Sequence, residues 1–145
     1  MKKQDVRNAT ILVAVVLGFV GFVVYESVTT RPKRDATRVF LKLIDAVNRP
    51  GLSDEERIET ARNFFSARRL AAGPIRVADG TVEGLKPDVD HNFPVWRDGA
   101  SFLLRPTDRD GVVYRMVEEN GRWRFDGPAG HRHGRGEFVP DPETP

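Results

Sequence analysis

The stretch "VVYRMVEENGRWRFDG", Val112–Gly127, decides the fold of this chain. Asn120 and Gly121 favour a two-residue hairpin, because both central positions of a type I′ turn need positive φ. The turn sets Glu119 opposite Arg122. One face of the hairpin is then apolar, with Val112, Tyr114, Met116, Trp123 and Phe125. The other face carries Val113, Arg115, Val117, Glu119, Arg122 and Arg124. This alternation predicts an antiparallel sheet with one face on a core and the other in water.

Upstream of the hairpin, the pattern is helical first and extended later. Ala36, Phe40, Leu43, Ile44 and Val47 repeat at the spacing of an amphipathic helix. A second helix starts with a capping box at Ser53–Glu56 and ends before Gly73-Pro74. Four short runs then read as strands: Ile75–Val77, Thr81–Leu85, Phe93–Trp96 and Ala100–Arg105. We therefore expect an α+β domain over residues 35–126, with two helices packed on a curled antiparallel sheet of four or five strands.

Downstream of the hairpin, residues 127–145 are rich in Gly, Pro and His and end in "PDPETP". Chains with so few apolar side chains bury too little surface to offset the entropy of ordering. We therefore predict that this tail is disordered.

At the other end of the chain lies "ATILVAVVLGFVGFVVYES", Ala9–Ser27, in which all residues from Ala9 to Tyr25 are uncharged. A membrane-spanning helix needs about 20 apolar residues, with a lower limit near 17. We predict a basic tail at 1–8, a transmembrane helix at 9–28, and a link at 29–34 in which Pro32 ends the helix. The alternative is a cleaved secretory signal. Only Ser27 and Thr29 approximate a small-x-small cleavage site, which favours an uncleaved signal anchor.

The basic residues flanking this run do not by themselves fix its orientation. Lys2, Lys3 and Arg7 precede it, and Arg31, Lys33, Arg34 and Arg38 follow it. The paired lysines resemble a signal-anchor start, which places the C-terminal domain outside the cytoplasm in a single-pass cell-membrane protein. Small residues at Ala14, Gly18 and Gly21 fall near one helix face, where they would permit a homodimer or a partner helix.

Composition excludes several classes of function. The net charge of +2 lacks the single-sign field of a nucleic-acid-binding protein, so we expect no nucleic-acid partner. The absence of cysteine excludes disulfides, thiol catalysis and cysteine-ligated metals. No phosphate-cradling glycine loop or nucleophile elbow occurs, and we expect no cofactor.

Two histidine-containing segments carry the remaining candidates for chemistry. In "PDVDHN", Asp88, Asp90 and His91 could bind a metal or move protons, although Pro-flanked Asp residues are equally typical of turns. In "GHRHG", His131 and His133 could capture a metal weakly, but a stable site needs three or four ligands. We therefore assign no catalytic, cofactor-binding or metal residue.

The helical segment Ala36–Leu70 and the final hairpin resemble the cystatin-like cone fold of the nuclear-transport-factor-two-like superfamily, over about 90 of the 145 residues. That resemblance implies helices on a curled sheet in a domain that is often membrane-anchored and non-enzymatic, although isomerases and dehydratases also occur. The sequence departs from the family in having two helices instead of three and a loop at Lys86–Asn92. No position matches the family's pocket acid or Asp-His pair.

Three functions remain open on the sequence. The first is a non-enzymatic, membrane-anchored module that binds a protein or ligand in the concavity of its sheet. The second is a cone-fold enzyme with a pocket carboxylate at Glu83, Asp88 or Asp90, assisted by His91. The third is a small accessory subunit of a membrane complex. A carboxylate in a deep apolar pocket favours the second, whereas a concavity filled by Phe and Trp side chains favours the first.

Overall fold

The computed structural model of the chain describes residues 3–142. These residues form two units, which divide between Arg34 and Asp35. The first unit contains helix α1, Lys3–Tyr25, followed by a π-helical turn at Glu26–Thr30. Every residue of α1 is exposed. By length and composition, this is the one helix in the described part of the chain that could cross a membrane.

Pro32 does not end the helix, so that part of the prediction for residues 29–34 is wrong. Helix α2 spans Arg31–Val47 and begins directly after the π-helical turn. Pro32 has no backbone N–H and cannot make an i→i−4 bond. The backbone hydrogen-bond pattern changes at this point, because the Arg31 N–H donates to the Glu26 carbonyl five residues earlier. The π-helix is rare and occurs mostly as single turns of this kind inside longer α-helices.

From residue 35 to 142, the chain forms three helices, the first of which begins at Arg31, and a curled sheet. Within α2, the five predicted apolar positions are all buried: Ala36, Phe40, Leu43, Ile44 and Val47. Helix α3 spans Asp54–Arg62 and starts with the predicted capping box between Ser53 and Glu56. Helix α4 spans Ala67–Ala71, with Ser66 as its N-cap.

The predicted second helix is therefore divided into α3 and α4. Residues 64–66 leave the helix and lie beside the last long strand. The Phe125 N–H donates to the Phe64 carbonyl at 2.7 Å, and the Ser66 N–H donates to the Phe125 carbonyl at 2.8 Å. Pairing with a strand replaces the helical bonds, and local sequence does not report such a distant partner.

Within residues 3–142, seven strands form two antiparallel sheets. Strands β1 (Val77–Ala78) and β2 (Thr81–Val82) make a small pair. The main sheet has the order β3-β4-β5-β6-β7. Its strands are β3 Val95–Asp98, β4 Ser101–Leu104, β5 Val112–Glu119, β6 Arg122–His131 and β7 Val139–Pro140. The predicted register is confirmed, with Glu119 opposite Arg122 and Met116 opposite Phe125. Two bulges in the β5–β6 pair increase its twist and bend the sheet.

The prediction of a disordered tail is wrong for the residues that the structure describes. Strand β6 continues through Gly127 to His131, and β7 pairs with its end. We call residues 132–142 the strap. Its Phe138 packs edge-on against Trp96 at 6.0 Å, and the Arg132 guanidinium lies 4.9 Å from the Trp96 ring. Leu103 and Val113 are buried although neither belongs to the main core cluster.

The strap thus accounts for an error in the predicted sheet faces. Val113 was assigned to the water-facing side, yet its side chain is fully buried. The Arg105 guanidinium, itself buried, donates to the carbonyls of Arg132 and Gly134 in the strap. Antiparallel sheets commonly leave one face in water. Here part of that second face is covered by chain that follows the hairpin.

Candidate functional site

The exposed surface of α1 is the most distinctive functional feature of the first unit. Eleven large apolar side chains of Ile11–Val24 are between 44% and 67% exposed. Moving one such side chain from water into an apolar environment contributes about 1.5–3 kcal/mol. Since each side chain is only about half exposed, the summed driving force is comparable with the whole stability of an ordinary domain, which is about 5–15 kcal/mol. By this measure α1 could contact a lipid bilayer.

In the second unit, aromatic rings on the concave face of the sheet pack against one another and belong to or border the core. Phe40 of α2 lies 5.8 Å from Tyr114 and 6.3 Å from Phe125. Phe65 lies 4.8 Å from Phe125. Trp123 packs against Phe102 at 5.4 Å and borders the same cluster. These rings are therefore part of the packed core, and a binding surface in the concavity stays a prediction.

Glu83 lies at the end of this core and has a fully buried carboxylate. The Arg69 guanidinium donates to Glu83 Oε1, and the Arg76 backbone N–H donates to the same oxygen at 2.9 Å. Arg76 Nη2 lies 3.5 Å from the other oxygen, Oε2. Arg69 also donates to the carbonyls of Gly73 and Pro74. Both carboxylate oxygens of Glu83 are engaged by cationic or backbone donors, which is the arrangement of a structural ion pair.

The backbone of Glu83 explains why this residue can reach its partners. Its φ of 49° lies in the left-handed region, which is uncommon for a residue other than glycine. The Glu83 N–H donates to the Arg76 carbonyl at 2.9 Å, while the side chain turns back to the Arg76 N–H. The strain of the left-handed conformation is offset by these bonds, as is usual where the surroundings over-determine a residue.

Tyr114 joins the same network from strand β5. Its hydroxyl donates to the Glu83 carbonyl at 3.2 Å. Burial raises the pKa of the Tyr114 phenol well above its ordinary value, and the negative charges of Asp110 and Glu83 raise it further. The phenol therefore stays protonated and serves as a hydrogen-bond donor. A group held in this state does not act as a base near neutral pH.

A second polar cluster, formed by Ser66, Arg68 and Asp126, connects α4 to β6. It was not predicted from the sequence. The Ser66 hydroxyl donates to Asp126 Oδ1 at 2.5 Å. Arg68 Nε donates to both oxygens of Asp126, at 3.1 and 2.9 Å. Ser66 is fully buried, so its hydroxyl is inaccessible to a substrate. A serine before a short helical segment is a recognisable N-cap in the sequence. Its carboxylate partner could not be recognised, because Asp126 lies 60 residues away.

The residues of "PDVDHN" lie on an exposed loop. Asp88, Asp90 and His91 are all exposed. The Asp90 carboxylate accepts a bond from the Asp108 N–H at 2.7 Å, and the Asp90 N–H donates to the Pro106 carbonyl at 2.7 Å. These bonds are those of a turn that connects two loops.

His131 and His133 lie on either side of the start of the strap. His131 ends β6, and its Nδ1 is 3.3 Å from Asp141 Oδ1. The His133 ring covers Gly111, where a Cβ atom would come within 2.5 Å of the ring. Between residues 3 and 142, no group of three or more His, Cys, Asp or Glu side chains is arranged to hold a metal ion. The two histidines instead sit at packing contacts of the strap.

Comparison with protein-family models, curated proteins and solved structures gives no match to this chain.

Proposed function

We propose that residues 9–28 span a lipid bilayer as an uncleaved signal anchor. The observation that carries this proposal is the uncovered apolar surface of α1, where every residue is exposed. Hydrocarbon is the environment in which such a helix is stable, since its backbone bonds are satisfied internally. Tyr25 at the end of α1 suits the membrane interface. The α+β domain from Asp35 onwards is then a module tethered to the membrane.

We propose further that this module binds a protein or ligand without catalysing a reaction. The aromatic packing of the concavity and the ion pairing of Glu83 support a binding role over the alternative of a cone-fold enzyme. A partner or ligand would contact the part of the concavity that borders these packed rings. The resemblance to non-enzymatic cone-fold domains agrees with this proposal.

The proposal also includes a role as a small accessory subunit, with α1 as the contact to another helix. Around Gly18 and Gly21, the space that a Cβ atom would take is open. Small residues at these positions and at Ala14 would allow a neighbouring helix to approach closely. Co-purification in mild detergent, with and without Gly18→Leu and Gly21→Leu, tests this role through loss of the associated protein or of a homodimer.

Membrane insertion is tested by alkaline extraction of membranes from cells that express the full chain. We expect the protein to remain in the membrane fraction and to enter solution only with detergent. A Leu17→Arg variant with an additional Val20→Arg change should leave the membrane, because each charge at the centre of a span costs about 3 kcal/mol. Recovery of an aqueous fragment that starts near Thr30 would instead show that the segment is a cleaved signal.

The orientation can be read with single cysteines, because the natural chain contains none. Gln4→Cys and Glu55→Cys place one thiol on each side of the apolar segment, both at exposed positions. We expect a membrane-impermeant maleimide to label Glu55→Cys in intact cells and Gln4→Cys only after lysis. The opposite pattern would place the domain in the cytoplasm and leave the anchor itself intact.

A further inference from the structure

Residues 26–34, which we call the connecting segment, are helical but have little support from the core of the domain. All nine are exposed or half-buried, and the first buried side chain of α2 is that of Ala36. Most of the stability of a helix in a protein comes from the packing of its apolar face and not from its own backbone bonds. The helical state of the connecting segment is therefore expected to be weaker than that of the rest of α2.

The backbone of the connecting segment contains two irregularities. The first is the π-helical turn at Glu26–Thr30, and single turns of this kind occur frequently at functional sites. The second is Pro32, which lies two residues after the π turn and has no backbone N–H to donate. Prolines and π turns are both recognised causes of bending in helices. Here they lie next to each other in one stretch.

The side chains of the π turn weaken the helix further. Val28, Thr29 and Thr30 are consecutive β-branched residues, which lose side-chain freedom in a helix. Thr29 Oγ1 donates to the Tyr25 carbonyl at 2.5 Å. A hydroxyl that bonds to the carbonyl four residues earlier slightly destabilises a helix and often bends it. Side chains and backbone therefore both favour local opening at this point.

One ion pair bridges the π turn and Pro32. Arg34 Nη2 lies 3.4 Å from Glu26 Oε1, eight residues earlier. Because the two residues lie at opposite ends of the connecting segment, their contact is lost when the segment opens. The two side chains are 56% and 33% exposed, and an ion pair as exposed as this contributes little. The pair therefore stabilises the closed state only weakly.

We propose that the connecting segment is a hinge, which opens at the π turn and at Pro32 while the helices on either side stay folded. Hinges are typically a few residues at the ends of elements that absorb the change in backbone angles. The neighbouring helices have stabilising surroundings of their own, which are lipid for the proposed span and the core for α2 from Ala36 onwards. The hinge lets a membrane-anchored module change its orientation without unfolding. This consequence rests on the proposed anchor, whereas the local opening does not.

Amide hydrogen exchange of the full chain in lipid nanodiscs measures the opening. We expect the backbone amides within residues 29–34 to exchange at least about tenfold faster than those of residues 38–46 in α2, since local opening costs less free energy than opening of the core. Glu26→Gln removes the bridging ion pair and should accelerate exchange of residues 29–34 by up to about fivefold.

A variant with a stronger helix should close the hinge. Thr29→Ala, Thr30→Ala and Pro32→Ala together, which we call the alanine variant, replace poor helix formers by the best one. Proline in a helix interior is the least favourable residue, and threonine is less favourable than alanine. We expect exchange of residues 29–34 to slow about tenfold or more in the alanine variant.

Thr10→Ala is the matched control for Thr29→Ala. Thr10 Oγ1 also donates to a carbonyl four residues earlier, that of Val6, at 2.9 Å, but it lies inside the α-helical part of α1. Thr29→Ala alone should slow exchange of residues 29–34 about threefold. Thr10→Ala should leave that exchange unchanged.

Distances between paired nitroxide labels distinguish a hinge from local fraying. The natural chain contains no cysteine, so Val20→Cys and Lys42→Cys place one label on each side of the connecting segment, both at exposed positions. We expect a broad distance distribution for this pair, and a narrower one in the alanine variant. Lys42→Cys with Glu59→Cys is the control pair, because both positions are exposed and follow the connecting segment. Its distribution should be narrow in both chains.

The proposal is overturned if residues 29–34 exchange as slowly as residues 38–46, if Thr10→Ala slows exchange as much as Thr29→Ala, or if the alanine variant keeps the broad distribution. Failure of the anchor itself is a separate result. In that case the protein leaves the membrane fraction on alkaline extraction. A chain that stays in the membrane with a narrow distribution for the first label pair contradicts only the hinge.

Discussion

At the scale of single residues, the polar interior of the domain is explained by stabilisation. Glu83 and Arg69 form the most buried ion pair of the described chain, with side chains 0% and 10% exposed. Removing one partner of a buried pair leaves the other charged group without compensation in a poorly solvated site. The carboxylate that the sequence offered as a catalytic candidate is thus held in place by bonds that a substrate would have to break.

We expect Glu83→Gln to lower the free energy of unfolding by about 3–5 kcal/mol, because it leaves the Arg69 guanidinium buried without its counter-charge. Urea unfolding of the full chain in detergent, followed by circular dichroism, measures this loss. Glu59→Gln is the matched control. Its ion pair with Arg62 is exposed, and its removal should change stability by less than about 1 kcal/mol. Equal effects of the two variants would contradict the structural role of Glu83.

Tyr114 gives the domain a sensitivity to alkaline pH. The pKa of its phenol is raised in the folded state by burial and by the charges of Asp110 and Glu83. Below pH 10, which is about the pKa of the phenol in the unfolded chain, the phenol is protonated in both states and its contribution to the free energy of unfolding is constant. Above that pH, the unfolded chain loses the proton while the folded chain keeps it, so stability falls by up to about 1.4 kcal/mol per pH unit.

Urea unfolding at intervals from pH 8 to pH 11 checks this sign. Tyr114→Phe should lose the part of the alkaline slope that Tyr114 supplies, and the difference between the two curves isolates the phenol from lysine titration. The variant should also be less stable at pH 8, by about 1–3 kcal/mol, because the Glu83 carbonyl loses its donor. Parallel curves above pH 10 would show that Tyr114 ionises equally in both states.

At the scale of elements, the sequence predicted what is encoded by close neighbours. The register of β5 and β6 follows from Asn120-Gly121, and the capping box of α3 follows from residues three apart. The buried face of α2 follows from helical spacing. The features that were not predicted from the sequence depend on contacts between residues that are distant along the chain. The break between α3 and α4 results from pairing with Phe125, and the ion pair of Glu83 joins residues brought together only by the fold.

The strap is the clearest example of an ordered element that local amino-acid composition does not predict. Its sequence has few apolar residues, and it is ordered mainly by the partners that the sheet supplies. Gly130 is the residue that allows the close approach. A Cβ atom there would lie 2.2 Å from the Val139 carbonyl oxygen and 2.7 Å from the Phe138 ring. Glycine, which has no Cβ atom, is the residue that fits beneath the strap at this point.

We therefore expect Gly130→Ala to loosen the strap, at a local cost of about 1–3 kcal/mol. Limited trypsin digestion measures this opening, since cleavage after Arg132 or Arg135 should become about 5- to 150-fold faster. Gly99→Ala is the control, because Gly99 also has a positive φ but has open space at its Cβ position. An unchanged cleavage rate in Gly130→Ala would mean that the strap does not depend on this contact.

At the scale of the whole molecule, the two units differ in what stabilises them. Every residue of α1 is exposed, and the core begins at Ala36. The core cluster of the domain is made of side chains from Ala36 onwards. Removal of the apolar segment should change where the protein partitions and leave the packing of the domain as it is. A chain cut at the right position separates these two properties.

We expect a chain that starts at Arg31 to be recovered in the aqueous fraction and to unfold with nearly the same free energy as the domain in the full chain. Pro32 is well placed for this cut, because its fixed φ and missing N–H suit the first turn of a helix. A chain that starts at Leu41 is the contrast. It lacks Phe40, whose fully buried ring contacts three other rings, and a loss of this kind costs about 3–5 kcal/mol. We expect no cooperative urea transition from the shorter chain. If the chain from Arg31 also failed to unfold cooperatively, the domain would depend on the apolar segment for its stability, and the independence of the two units would be disproved.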